Sequence, residues 1–145
     1  MAEELLKRTF EVHGQDFDKA GETSSEVTAI LKDLGIDPEI ILRVGVIAFE
    51  AEMNVVMYAE RATLTFILTD DAISLEMADR GPGIPDVGQA MQPGFSTASD
   101  EMREMGFGYG MGLPNIKKNS DALVLESEIG KGTRVRASIR LNTHD

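Results

Sequence analysis

The sequence predicts an α+β sandwich, in which helices are layered on a mixed or antiparallel sheet. Five segments have strand patterns and three have helical spacing of apolar residues, in the order β-α-α-β-β-loop-α-β-β. We find no internal repeat and no inter-domain linker, and 145 residues suit one sizeable core. Residues 1–145 are therefore expected to form a single domain.

The composition excludes several classes of protein. The chain is 42% hydrophobic and 27% charged, as ordinary globular proteins are. It has no cysteine, no apolar run long enough to span a bilayer, and no signal-peptide core at its N-terminus, so we expect a cytoplasmic protein without membrane contacts. The formal net charge of −11 argues against nucleic acid as a partner, and a polyphosphate ligand would need a cation.

The first half of the chain predicts one strand and two helices. The strand is "LLKRTFEVHG", and the next segment, from Phe17, has helical spacing and ends at Gly35. Asp37 offers an N-cap and Pro38 suits the first helical position, so a second helix begins there and runs to about Tyr58.

The second half predicts two hairpins separated by a long loop. The strands "ATLTFILT" and "AISLEMAD" are joined by a turn at Asp70 and Asp71. Residues 81–105 form the loop, which in a compact domain is usually functional. A short helix, "LPNIKKNS", then precedes the strands "DALVLESE" and "TRVRASIRL", which close around "IGKG".

Asp79 is predicted to lie on the buried face of its strand. Period two places it with Leu75 and Met77, where a carboxylate is costly unless a donor hydrogen-bonds to it. The sequence "DRGPGIP" follows, and its glycines allow a ligand to approach the backbone. An adenine amino group is a suitable donor, and the alternative is an Asp that caps a turn.

Glu50 and Asn54 share one face of the second helix because they are four residues apart. Their oxygen atoms suit a hydrated Mg²⁺ ion, or Glu50 could be a general base. The alternative is a helix face that merely reaches solvent. Glu52 points the other way and is predicted to be solvated.

Glycine occupies every second position of "GFGYGMG", residues 106–112, directly before a helix start. Exposed backbone N–H groups and the positive end of a helix bind phosphate, so we interpret this run as a phosphate loop. It does not follow a strand, and is a poor dinucleotide fingerprint. "GKGT" is not a P-loop, because Gly132 stands where Ser or Thr is required; it predicts a hairpin turn from which Thr133 could reach a ligand.

In this order and spacing, the motifs resemble the N, G1, G2 and G3 boxes of the Bergerat-fold (GHKL) ATPases. The matching residues are E-x-x-x-N at Glu50 and Asn54, D-x-G-x-G at Asp79, Gly81 and Gly83, the glycine run at 106–112, and G-x-G-T ending at Thr133. The resemblance covers nearly the whole chain. It implies a mixed, mostly antiparallel sheet of about five strands with about three helices on one face.

The resemblance also implies a site for ATP and Mg²⁺. Asp79 would bind the adenine amino group, Asn54 would hold Mg²⁺ on the phosphates, and residues 84–105 would form a lid. The expected cofactor-binding residues are Asn54, Asp79, Gly81, Gly83, Ile84, Gly106, Phe107, Gly108, Tyr109, Gly110, Met111, Gly112, Leu113 and Thr133.

Within that family, the chain is similar to the anti-sigma-factor and stressosome-type switch serine kinases. "DRGPGIPD", "GFST" and "GMGLPNIK" match their box patterns, whereas "KKNSDAL" departs from their usual "MDE"-like stretch. A transducer domain of the gyrase type is not expected, and neither His13 nor His144 lies on a helix suited to a phosphoacceptor.

This resemblance implies an ATP- and Mg²⁺-dependent protein serine/threonine kinase of a bacterial partner-switching system. Glu50 would be the general base, and the substrate would be a STAS-domain anti-sigma antagonist. A sigma factor or phosphatase activator is a further expected partner, and the chain could form a homodimer. The alternatives are a non-catalytic ATP-bound clamp on a sigma factor or phosphatase, and an ATPase subunit of another complex.

Two basic groups have open interpretations. Lys117 and Lys118 either end the short helix or contact phosphate. Arg134, Arg136 and Arg140 form either a solvated strand face or a docking surface.

Overall fold

The computed structural model describes residues 3–84, 87–92 and 112–141. Five strands and four α-helices lie in these ranges. They are β1 (Glu4–His13), α1 (Glu22–Asp33), α2 (Pro38–Tyr58), β2 (Arg61–Thr69), β3 (Ala72–Arg80), α3 (Val87–Ala90), α4 (Gly112–Asn119), β4 (Ala122–Glu128) and β5 (Gly132–Arg140). The predicted order is confirmed, with the one-turn α3 and a 3-10 turn at Phe17–Lys19 as additions.

The strands form one sheet in the order β1-β2-β3-β5-β4. All four neighbouring pairs are antiparallel, so the described strands contain no parallel pair. The β2–β3 turn is at Asp70 and Asp71, as predicted, where the Thr69 hydroxyl accepts hydrogen bonds from the Asp71 and Ala72 N–H groups at 3.2 and 3.0 Å. This architecture is the predicted α+β sandwich.

The core lies between one face of the sheet and the helices. Alternate residues of β2 and β3 are buried, and α2 contacts β1, β2, β3 and β5. α1 and α4 both pack against α2, and α4 also contacts β4 and β5. The main residues of this core are Val44, Ile47, Ala48, Ala51, Val55, Leu64, Phe66, Ile73, Leu75, Met77, Ala137 and Ile139. None of the helices in the described ranges combines the length and apolar character that a membrane-spanning segment needs.

The residues predicted to begin α2 and to end α1 adopt the expected conformations. The Glu39 N–H donates to Asp37 Oδ1 at 2.9 Å, and Pro38 occupies the first turn of α2. Gly35 follows α1 with a left-handed φ of +72°. The predicted start of α1 is wrong, however, because the 3-10 turn at Phe17–Lys19 precedes a separate helix that begins at Glu22.

Glu52 explains where α1 begins and corrects the prediction that this side chain is solvated. It is only 2% exposed, because α1 covers its side of α2. Its Oε2 accepts hydrogen bonds from the Gly21 and Thr23 N–H groups at 3.1 and 3.3 Å, and its Oε1 accepts one from Ser24 at 3.1 Å. The first N–H groups of a helix lack intrahelical partners, so the Glu52 carboxylate caps α1 from the neighbouring helix.

Candidate functional site

Asp79 lies at the end of β3, on the face that the helices cover. Its Oδ1 accepts a hydrogen bond from the Thr133 N–H at 2.9 Å, while Oδ2 has no such donor among the described residues. Burial raises the pKa of the Asp79 carboxyl above its usual value, although the hydrogen bond from Thr133 partly offsets this shift. A half-buried carboxylate whose second oxygen receives no hydrogen bond from the described part of the chain is suited to a ligand that donates one.

Ser127 joins the loop after β3 to the β4–β5 hairpin. Its hydroxyl accepts a hydrogen bond from the Ile84 N–H at 2.7 Å and lies 2.9 Å from the Thr133 hydroxyl. Ser127 is not among the residues predicted from the sequence. Its signal was available, because period two from Leu123 and Leu125 places Ser127 on the core face, directly before "GKGT".

The glycines beside Asp79 are required by the packing of two backbone segments. A Cβ atom on Gly83, whose φ is +80°, would lie 2.5 Å from the Glu128 carbonyl oxygen. A Cβ atom on Gly132 would overlap the Asp79 carbonyl oxygen. The sequence predicts that the glycines of "DRGPGIP" allow a ligand to approach, whereas contact between the loop and the hairpin already requires Gly83.

Glu50 and Asn54 lie together on the face of α2 that packs against α4. The Asn115 side-chain amide donates a hydrogen bond to Glu50 Oε2 at 2.9 Å. A Cβ atom on Gly112 would lie 3.3 Å from Asn54 Oδ1 and 3.7 Å from Glu50 Oε1. This face therefore meets the N-terminus of α4, and the alternative that it merely reaches solvent is not supported.

α4 is fixed against α2 by apolar and polar contacts. Leu113 and Ile116 are buried, and Arg43 Nε donates to the Asn119 carbonyl at the C-terminal end of α4 at 3.0 Å. Arg43 also pairs with Asp121 at 3.1 Å. The hydrogen bond from the Arg140 N–H, assisted by Arg43, lowers the pKa of Asp121. The N-terminus of α4 is thereby held beside Glu50 and Asn54.

The described site residues fall into two groups. The first group lies around the end of β3 and the β4–β5 hairpin and comprises Asp79, Gly81, Gly83, Ile84 and Thr133. The second group lies at the contact of α2 with α4 and comprises Glu50, Asn54, Gly112 and Leu113. The Leu113 side chain is buried and contributes to packing. The predicted residues Gly106, Phe107, Gly108, Tyr109, Gly110 and Met111 lie outside the described residues, as does most of the predicted lid.

The donor set suits Mg²⁺ only if a ligand supplies further oxygen atoms. The described part of the chain contains no group of three or more His, Cys, Asp or Glu side chains that could hold a metal. Mg²⁺ is commonly bound by one or two protein oxygens together with substrate phosphates and water. Asn54 Oδ1 lies beside the N-terminus of α4, so it could be such a protein oxygen, with substrate phosphates and water as the other ligands.

The basic groups lie on the surface. Arg134 and Arg136 are exposed, and both pair with Glu76 across the open face of the sheet, at 3.5 and 3.0 Å. This pairing agrees with a solvated strand face. Lys117 and Lys118 are exposed in the last turn of α4, where cations interact favourably with the helix C-terminus.

Comparison with known proteins is consistent with this geometry. A family model described as histidine kinase-, DNA gyrase B- and HSP90-like ATPase matches residues 35–143. The serine/threonine-protein kinase RsbT of Bacillus subtilis (strain 168) is 30% identical over 112 residues, which cover 74% of this chain and 78% of that protein. An anti-sigma F factor of Caldanaerobacter subterraneus subsp. tengcongensis is 36% identical over 108 residues, covering 70% of this chain and 72% of the relative. Another, from Geobacillus stearothermophilus, is 28% identical over 115 residues and covers 75% of each chain.

Proposed function

The chain belongs to the histidine kinase-, DNA gyrase B- and HSP90-like ATPases, in their anti-sigma-factor kinase branch, and from this premise we propose that it is an ATP- and Mg²⁺-dependent protein serine/threonine kinase of a bacterial partner-switching system. The observation that carries the proposal is the position of Glu50 and Asn54, side by side on α2 at the N-terminus of α4. This arrangement combines a base with a phosphate-binding helix end.

The adenine base is bound at Asp79. Thr133 holds Oδ1, so Oδ2 accepts a hydrogen bond from the exocyclic amino group of adenine. Guanine has an oxygen at the equivalent position, which the carboxylate repels. The carboxylate therefore selects ATP over GTP, and Ser127 keeps Thr133 and the Ile84 segment in place around it.

The phosphates are bound at the N-terminus of α4. The first N–H groups of this helix are not used within the helix and attract anions. Gly112 leaves room there, because a side chain would point at Asn54 and Glu50. Asn54 would hold Mg²⁺, and the ion would supply positive charge that offsets the negative charge of the phosphates. We further propose that residues 106–111 contribute to phosphate binding. We also propose that residues 1–145 act as one domain.

Glu50 acts as the general base. It accepts the proton of a serine or threonine hydroxyl on the protein substrate as the hydroxyl oxygen forms a bond to the γ-phosphorus. The bond between that phosphorus and the β,γ-bridging oxygen breaks, and ADP leaves. The chain's own contribution is to position the base and the phosphates.

The protein substrate is a STAS-domain anti-sigma antagonist, and a sigma factor is the competing partner. A phosphoserine or phosphothreonine adds a charge of about −1.5 to −2 at neutral pH. This kinase has a formal net charge of −11. Like charges at the interface repel each other, so phosphorylation releases the antagonist.

Labelling in a lysate tests the proposal. γ-Labelled ATP and Mg²⁺ are added to a desalted lysate of the source cells with the wild-type chain, Glu50→Gln, or the matched control Glu39→Gln. Glu39 is exposed in the first turn of the same helix. We expect one labelled protein with the wild type and the control and none with Glu50→Gln, although that variant still binds ATP.

Two other results would contradict the proposal. Label transferred equally by Glu50→Gln would exclude Glu50 as the base. Tight ATP binding by the wild type without any labelled protein would favour the non-catalytic clamp.

A further inference from the structure

Asn115 lies within the matched stretch "GMGLPNIK", but none of the motif roles inferred from the sequence assigns a function to it. It lies in α4, three residues after Gly112, and its Nδ2 donates to Glu50 Oε2 at 2.9 Å. Both side chains are half-buried at the contact between α2 and α4. Hydrogen bonds to charged groups are stronger than those between neutral groups, so the contact can hold a flexible side chain.

The hydrogen bond from Asn115 determines which oxygen of the Glu50 carboxylate remains available to accept a proton. A carboxylate has two equivalent oxygens, and a Glu side chain has several rotamers. Asn115 binds Oε2, and Oε1 is the oxygen that lies near the Cβ direction of Gly112, at 3.7 Å. Oε1, which receives no hydrogen bond from the described residues, therefore faces the end of α4 that follows the predicted phosphate loop.

Asn115 is itself held in place. The neighbouring Ile116 is fully buried, and the Asn115 carbonyl accepts a hydrogen bond from the Asn119 side chain at 2.9 Å. Arg43 holds the Asn119 carbonyl at the other end of the helix. A donor fixed in this way loses little further freedom when it orients Glu50, which is the advantage of a preorganised site.

We propose that Asn115 is a positioning residue of the kinase: its side-chain amide orients the Glu50 carboxylate so that Oε1 faces the acceptor hydroxyl. The proposal rests on the proposed function, in which Glu50 is the base. α4 begins at the last glycine of the predicted phosphate loop. The same contact therefore also fixes the position of the Glu50 carboxylate relative to the bound phosphates.

Two substitutions separate positioning from a purely structural role. Asn115→Ala removes the donor and leaves a gap. Asn115→Asp keeps the shape of the side chain but places a second carboxylate against Glu50, which repels it. If Asn115 positions Glu50, the Asp variant is the slower enzyme. If its shape alone matters, the Asp variant is the faster of the two.

The test measures turnover of ATP to ADP by the full chain with Mg²⁺, using ATP and water alone, and again with the protein that the lysate experiment labels. We expect Asn115→Ala to lower kcat roughly 10- to 100-fold, with the KM for ATP within about twofold of wild type, as loss of a bond to a charged group predicts. Asn115→Asp should be slower still. Glu39→Gln is the control, because Glu39 is exposed in the first turn of α2, the helix that carries Glu50, and is remote from the contact with Asn115.

Several outcomes would overturn the inference. A wild-type kcat in Asn115→Ala would do so, as would a raised KM with unchanged kcat, because the residue would then contribute to nucleotide binding. If the Ala variant does not fold, as thermal unfolding would reveal, the Asp variant decides: wild-type turnover there refutes the positioning role. Glu50→Gln is measured in parallel. If it alone loses turnover, the proposed function stands without the role of Asn115; if it retains turnover, the base assignment and the inference both fail.

Discussion

At the scale of single residues, Asp79 is a half-buried charge, and we propose that it serves nucleotide binding at a cost in stability. Its carboxylate is partly desolvated and receives one hydrogen bond, from Thr133. Desolvation without full hydrogen bonding disfavours the charged form. We therefore interpret Asp79 as a residue whose second hydrogen bond comes from the nucleotide.

Asp79→Asn should weaken ATP binding without weakening the unliganded fold. Asn can keep its oxygen on the Thr133 N–H, which turns its NH₂ group toward the adenine amino group. Loss of a hydrogen bond to a charged acceptor, about 2–3 kcal/mol, predicts roughly a 30- to 150-fold loss of affinity by calorimetry. Asp71→Asn, in the exposed β2–β3 turn, is the control. Retained ATP affinity in Asp79→Asn would remove Asp79 from the site.

The raised pKa of Asp79 predicts the sign of a pH effect on stability. Its folded-state pKa lies above its usual value of 3.8, so the folded state binds more protons between these two values. The unfolding free energy of the wild type should therefore rise, relative to Asp79→Asn, as pH falls through the folded-state pKa toward 3.8. Urea unfolding of both proteins at several pH values measures this difference. A difference that does not change with pH would contradict it.

At the scale of elements, one buried carboxylate determines where a helix begins. The sequence pattern predicts that α1 extends back to Phe17, but the chain forms a 3-10 turn there and begins the helix at Glu22. Gly21, with a φ of +96°, and the cap from Glu52 separate the two segments. Periodicity located Glu52 on the side of α2 away from Glu50, but it carried no information on which element covers that side.

Glu52→Gln should destabilise the fold. The amide keeps one oxygen acceptor but turns an NH₂ group toward the N–H groups of the first turn of α1, and the charge at the helix N-terminus is lost. We expect a loss of about 1–3 kcal/mol in unfolding free energy from urea titration. Glu26→Gln, exposed on α1, should change it by less than about 0.5 kcal/mol. Equal effects of the two substitutions would show that the cap contributes little.

At the scale of the whole molecule, local patterns predicted the elements but not their contacts. Three predicted features depend only on neighbours in sequence, and the structure confirms each of them. They are the alternating burial in β2 and β3, the N-cap of α2 at Asp37 and the end of α1 before Gly35. The hydrogen bond between Asn115 and Glu50 joins residues 65 positions apart, and the contact of Ile84 with Ser127 spans 43. Such contacts depend on how α4 and the last hairpin pack, so no local pattern reports them.

Nucleotide binding should stabilise the whole domain in a Mg²⁺-dependent way. A ligand that binds only the folded state at 100 times its Kd raises stability by about 2.7 kcal/mol. We expect ATP with Mg²⁺ to raise the Tm more than ATP with EDTA, and Asn54→Ala to abolish that difference because it removes the amide oxygen proposed to hold the ion. The control is Asn119→Ala. An undiminished effect of Mg²⁺ in Asn54→Ala would place the ion elsewhere.

The most direct test of the central claim separates ATP binding from phosphoryl transfer at Glu50. The measurement is the Kd for ATP with Mg²⁺, together with the single-turnover rate of transfer to the purified acceptor, for wild type and Glu50→Gln. The account predicts a Kd within about twofold of wild type and a transfer rate lower by at least roughly 100-fold, as for loss of a general base. Transfer at the wild-type rate by Glu50→Gln would contradict it.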